Sequence, residues 1–244
     1  MGMANAHIKE IINNDIEMNA LNGAKASIPT VMGYTSVGIA AGLVGVASNL
    51  SPLEITLFAI FMYGGASQFI IYGLLAAATP LAAIVFTTFI VNLRHFLLCL
   101  SLAPHFKDFS MKKNILIGAF VTDESFGVAA NQRARGYKLT PNWMYGLNFS
   151  AYATWVLACL TGSVLAKWIA NPEALGLDYA LTAMFIALLI LQLQSVASDK
   201  LKHHLSLVIY MIIAMLILMT MMPSHIALIV ATIIVATIGV VTEK

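Results

Sequence analysis

Charge is what this sequence has least of. Charged residues make up 10% of the 244-residue chain, against roughly 25% in a soluble globular domain. So little charge excludes a secreted scaffold, a nucleic-acid binder and a disordered tail, while the net charge of +2 is too small to point to any partner. Cysteine is nearly absent. Cys99 and Cys159 both fall in apolar stretches, so no disulfide framework is built from them and they read as buried thiols. No Cys/His cluster has the spacing of metal ligands, and no glycine-rich loop has the form that cradles phosphate. The N-terminus lacks the apolar h-region and small-residue cleavage site of a secretory signal.

Apolar residues fill the space, at 60% of the chain with a mean hydropathy of +0.87. A helix crossing the hydrocarbon core uses ~20 of them, so the composition predicts seven or eight spans and little else. The charges are confined to a few places. Residues 26–106 hold only Glu54 and Arg94, and none occurs between Lys138 and Lys167, between Asp178 and Asp199, or between Lys202 and Glu243. Pro52, Pro80, Pro104, Pro141, Pro172 and Pro223 mark borders between apolar runs, where a missing N–H is tolerated. The predicted spans are 26–48, 53–78, 80–103, 115–130, 142–166, 179–197, 205–222 and 224–241. Their length, and the lack of period-two alternation, select helices over barrel strands. The fold class is therefore all-α and polytopic, with residues 26–241 as one transmembrane domain.

Residues 1–25 differ. Ile8, Ile11, Ile12 and Ile16 alternate at helical spacing with Lys9, Glu10, Asn13, Asn14 and Glu17, the pattern of an amphipathic helix on the membrane surface. With eight spans and an internal N-terminus, Lys9, Lys25, Arg133, Arg135, Lys138, Lys200, Lys202 and Lys244 lie inside. Lys107, Lys112, Lys113 and Lys167 lie outside, a balance that favours a cytoplasmic N-terminus. Residues 115–130 have three basic residues on either side, so this short segment is either a crossing that violates the rule or a broken or re-entrant one. A faint echo at an offset of 126 pairs Ile55-Thr56 with Leu181-Thr182 and Gln68 with Gln194.

Polar side chains at membrane depth are costly, which makes each a functional candidate. Gly64 and Gly65 sit halfway along the second span beside Ser67 and Gln68. Paired glycines weaken a helix there, and unwound backbone persists in lipid only where protein or a cavity satisfies it. The alternative is a notch for a neighbouring helix. Asn92, Arg94 and His95 lie in the middle of the third span, so Arg94 needs a carboxylate, a polar cavity or an anionic ligand. His95 reads either as a group that titrates near neutral pH or, as a lone histidine more often is, as a hydrogen-bonded core residue. Asp123 and Glu124 are adjacent in the fourth segment and point ~100° apart on a helix. They cannot share one environment: one is expected to meet Arg94 and the other a cavity. Asn148, Ser150, Tyr152 and Thr154 in the fifth span, with Gln192 and Gln194 in the sixth, read as interhelical hydrogen-bonding groups.

Four stretches in this order resemble the AzlC family, the large subunit of bacterial branched-chain amino acid exporters. They are Gly33-Tyr34 with Gly38 and Gly42, Tyr63 through Phe69, Asn92 through His95, and Thr122 through Phe126. Asn142-Trp143-Met144 and Phe185 add weaker agreement. The resemblance implies an inner-membrane exporter of leucine, isoleucine and valine, with methionine as a further candidate, working with a small AzlD-type membrane subunit and no cofactor. On that reading Gly64, Gly65, Ser67, Gln68, Asn92 and Arg94 line the substrate site. Asp123 or Glu124 takes the ammonium or carries a coupling proton, and Asp123, Glu124 and His95 make up the proton-coupling or ion-pair group. Two rivals come from other classes. One is a passive channel for small solutes. The other is an intramembrane hydrolase using Ser67 and His95, although rhomboid-type proteases place a glycine where this chain has Gln68.

Overall fold

A computed structural model describes residues 18–168 and 200–242, with residues 186, 189, 190 and 193 between them. Most of the predicted sixth span, including Gln192, Gln194 and Phe185, and the isoleucine stripe of residues 8–16 lie outside the described residues. Among the described residues the chain is helical and contains no strand. The helices are α1 (Ala20–Ala26), α2 (Ile28–Ala47), α3 (Pro52–Phe61), α4 (Gly65–Ala76), α5 (Leu81–Leu102), α6 (Met111–Gly118), α7 (Asp123–Ala134), α8 (Pro141–Leu165), α9 (Leu201–Leu218) and α10 (Ser224–Thr242).

Among the described residues, four helical stretches are long and apolar enough to cross a membrane: Ile28–Ala47, Leu81–His105, Pro141–Trp168 and Leu201–Leu218. Pro52–Phe61, Gly65–Ala76 and Ile226–Thr242 are shorter and apolar. Large apolar side chains such as Phe61, Met32, Phe89, Leu97 and Leu216 stand exposed, which suits a lipid surround and no aqueous one.

The helix ends follow local chemistry. Ser51 and Glu54 form a capping box ahead of α3, with Pro52 in its first turn, where the absent N–H is no loss. Thr140 caps α8 in front of Pro141. The second and fourth predicted spans are each split. Met62, Tyr63 and Gly64 separate α3 from α4, and residues 119–122 separate α6 from α7. The fourth segment starts earlier than expected, at Met111, because Ser110 supplies its extended N-cap residue.

The contacts divide the chain into two units. The first comprises the described residues up to Ala78 and those from Val91 to Trp168. Its centre is α8, against which α2 and α1 pack most extensively. The approach is backbone to backbone: a Cβ on Gly42 would stand 2.2 Å from the Cys159 carbonyl oxygen, and one on Gly162 2.1 Å from that of Ile39. Close approach of this kind maximises van der Waals contact where no hydrophobic drive separates helix from lipid. The end of the predicted surface segment also lies against α8. Met18 is buried, its carbonyl accepts a hydrogen bond from the Thr140 hydroxyl, and Gly23 meets the backbone of Trp143. The second unit holds Thr79–Ile90 and the described residues beyond 180. There α9 and α10 form a helical hairpin turning at Pro223, where the sequence places its hinge.

Candidate functional site

The first break opens at Tyr63, whose φ of +33° is a sterically unfavourable value for a bulky residue. Gly64 follows as the N-cap residue of α4, and no side chain caps that end. The leading amides of α4 therefore keep a partial positive charge at the break. Ser67, in the first turn, donates its hydroxyl to Asn92 Oδ1 on α5. Gly65 lies under the indole of Trp155, where a Cβ would come to 3.0 Å from the ring.

Gln68 is fully buried. Its Oε1 accepts from Trp155 Nε1 at 3.0 Å, and its Nε2 donates to Tyr72 Oη at 2.5 Å and toward Cys159 Sγ at 3.7 Å. Three protein side chains thus engage the amide, and it ties α4 to α8.

The two adjacent acids part as helix geometry requires. Asp123 Oδ2 pairs with Arg94 Nη1 at 2.9 Å, with both side chains partly accessible (20% and 31%). Glu124 Oε2 instead accepts from the Tyr34 hydroxyl on α2 at 2.7 Å. The same hydroxyl lies 2.8 Å from Thr122 Oγ1, and Thr122 forms a capping box with Ser125 that holds the start of α7. Arg94 Nε is buried without a hydrogen-bond partner. His95 is half-buried and within electrostatic reach of Asp123 and Glu124.

One face of α8 holds both breaks in place. Asn148 Nδ2 donates to the Ile117 carbonyl and Tyr152 Oη to the Ile60 carbonyl, each at 3.2 Å. In unbroken helices those oxygens would accept from residues 121 and 64, which lie in the breaks; the Ile117 oxygen also takes the Phe120 N–H at 3.2 Å. With Trp155, these residues stand at i, i+4 and i+7. Aromatic rings close the crossing: Tyr63 and Phe120, one from each break, meet Tyr152 edge-on at 4.9 Å between centroids. Ser150 and Thr154, from the same predicted set, bond only to carbonyls one turn back in their own helix.

The structure thus gathers Gly64, Gly65, Ser67, Gln68 and Asn92 around one break and Arg94, Asp123, Glu124 and His95 around the other. Sequence reasoning gave no separate role to Tyr34, Tyr63 or Trp155. A usable signal was present: Asn148, Tyr152 and Trp155 repeat at helical spacing in a charge-free span. Among the described residues no Ser67–His95 hydrogen bond forms, the serine being turned to Asn92. No three His, Cys, Asp or Glu side chains among them gather into a metal-binding group.

Comparison with known proteins covers this same region. The family model described as AzlC protein matches residues 29–169, a range that holds every site residue from Tyr34 to Trp155. The chain is 33% identical over 180 residues to the Inner membrane protein YgaZ of Escherichia coli (strain K12), covering 71% of this chain and 73% of that protein. It is 29% identical over 171 residues to the Branched-chain amino acid transport protein AzlC of Bacillus subtilis (strain 168), covering 68% and 65%. No solved structure matches the chain. With the family model spanning more than half of its length, the chain belongs to the AzlC family.

Proposed function

We propose that this protein exports branched-chain amino acids across the bacterial inner membrane, as the large subunit of a pair with a small AzlD-type membrane protein and with its N-terminus in the cytoplasm. The observation that carries the reading is the uncapped start of α4 within a unit that also places an arginine and two carboxylates at the neighbouring break. Half-helix N-termini at membrane depth are a recurring seat for a substrate carboxylate. The name of the Bacillus subtilis relative supplies the substrate class.

An amino acid needs a partner for each of its charges. The leading amides of α4 at Gly64, Gly65 and Ser67 take the carboxylate, with Asn92 orienting Ser67 and Arg94 adding positive charge only when released from Asp123. Asp123 already neutralises Arg94, so Glu124 is the carboxylate left for the ammonium. Gln68 acts by fixing Trp155 over Gly65. Protonation of Asp123 would loosen Arg94 and let α5 move against α7, coupling a proton to transport, with His95 tuning the local field.

Leucine efflux from proteoliposomes holding both subunits tests this. An imposed pH gradient is expected to drive efflux uphill, and Glu124→Gln to abolish it. If no gradient at any potential drives uphill efflux, proton coupling is wrong. Full transport by Arg94→Lys, Asp123→Asn and Glu124→Gln would overturn the site itself. Cysteine-accessibility labelling near Lys9 from the cytoplasmic side tests the orientation. A passive channel, the rival reading, would give leucine flux only down its gradient and indifferent to Glu124.

A further inference from the structure

Tyr63 carries two unfavourable features at once. Its backbone is in the left-handed region at φ +33°, and its hydroxyl is buried without a hydrogen-bond partner. The whole side chain is 8% exposed. A bulky residue in this backbone region and an unsatisfied buried hydroxyl each cost stability, and costs of this kind cluster at ligand sites.

Packing explains the ring but not the oxygen. The ring meets Tyr152 edge-on and lies 6.1 Å from Phe120, contacts that a phenylalanine would make equally well. Beside the oxygen stand the Glu124 carboxylate, the Tyr34 hydroxyl and Tyr152, and the Tyr34 hydroxyl does not meet hydrogen-bond geometry with it. Glu124 gives only Oε2 to Tyr34, which leaves Oε1 open. A carboxylate oxygen and a phenolic oxygen on one side of the break form a pair of acceptors. An ammonium, with three N–H donors and no acceptor, is the complementary group.

We propose that the Tyr63 hydroxyl accepts a hydrogen bond from the ammonium of the transported amino acid beside Glu124, making Tyr63 a binding residue that selects amino acids over the corresponding carboxylic acids. This rests on the functional reading above and adds to it a residue and a chemical discrimination.

The test is Tyr63→Phe in proteoliposomes carrying both subunits. Radiolabelled leucine binding is measured with competition by 4-methylpentanoate, which is leucine without its amino group. The expected result is a leucine Kd raised about tenfold, the scale of one charged hydrogen bond. Competition by 4-methylpentanoate and the melting temperature should be unchanged, or the melting temperature raised. Glu124→Gln should lose the same discrimination. An unchanged leucine Kd in Tyr63→Phe overturns the inference while leaving the transport reading intact. Equal losses for leucine and 4-methylpentanoate also overturn it, because they mark a packing role. Failure of the unsubstituted protein to bind leucine would sink the functional reading and this inference together.

Discussion

Arg94 on α5 and Asp123 at the start of α7 are joined by a 2.9 Å ion pair. The pair ties a continuous helix to the second half of a broken one, so it bears on stability as well as on charge. Neutralising one partner strands the other at membrane depth. Removing one partner of a fully buried pair costs about 3–5 kcal/mol, and the partial exposure of this one brings the expectation down to about 2 kcal/mol. Arg94→Met and Asp123→Leu should each lower the melting temperature in detergent, and the double variant should recover most of the loss. Additive losses would mean that the two charges are not coupled.

The α8 face offers a second check. Tyr152→Phe removes the donor to the Ile60 carbonyl and keeps the ring contacts with Tyr63 and Phe120. It should cost about 1 kcal/mol of stability. Hydrogen exchange should quicken around residues 60–65 and stay unchanged around residues 117–122. Asn148→Ala should show the reverse, because its amide serves Ile117. Uniform changes across both segments would mean that α8 does not hold the breaks individually.

Gly42 and Gly33, both on α2, should respond oppositely to alanine. At Gly42 the added Cβ would lie 2.2 Å from a backbone oxygen that cannot move alone. Gly42→Ala is therefore expected to cost more than 2 kcal/mol, on the order of a severe overpacking substitution, and to reduce the yield of monodisperse protein on size-exclusion chromatography. At Gly33 nothing lies within 4 Å, so alanine should be neutral or improve stability by about 0.5–1 kcal/mol. Equal behaviour of the two would show that α2 and α8 are not packed this closely.

The Ser67 hydroxyl is given to Asn92. A serine activated for nucleophilic attack needs a base within hydrogen-bond reach, so fluorophosphonate probes should not label this protein. Labelling lost in Ser67→Ala would revive the hydrolase reading. Asn92→Asp should instead impair leucine transport, by placing a negative charge beside the α4 amides.

Much of the architecture is legible in the sequence because it depends on near neighbours. The Gly64-Gly65 pair announces the first break, whereas the Thr122–Ser125 cap that starts α7 shows only in the structure. The charge-free runs announce the helices around α8. Gln68 shows where that reading stops. Beside Gly65 in the sequence it looks like a ligand for substrate, yet its amide is engaged by Trp155, Tyr72 and Cys159. Two of those partners lie on a helix about ninety residues away. Tyr63 shows the reverse: an aromatic in an apolar span looks like packing, and only its backbone angle and unpartnered hydroxyl single it out.

Composition and the spacing of charges determined by themselves that this is a helical membrane protein, and they singled out the few polar residues in its apolar stretches. Those are local consequences of hydrocarbon thickness and of the need to satisfy every backbone group. The tertiary structure decided which acid meets Arg94, which meets Tyr34, and that α8 holds both breaks. The reason is that lipid and protein interior are both apolar. A helix in this solvent carries almost no sequence stripe to say which face looks inward, so its rotation is set by packing. Here the Gly42–Gly162 approach fixes how α2 lies on α8, and with it where Tyr34 meets Glu124.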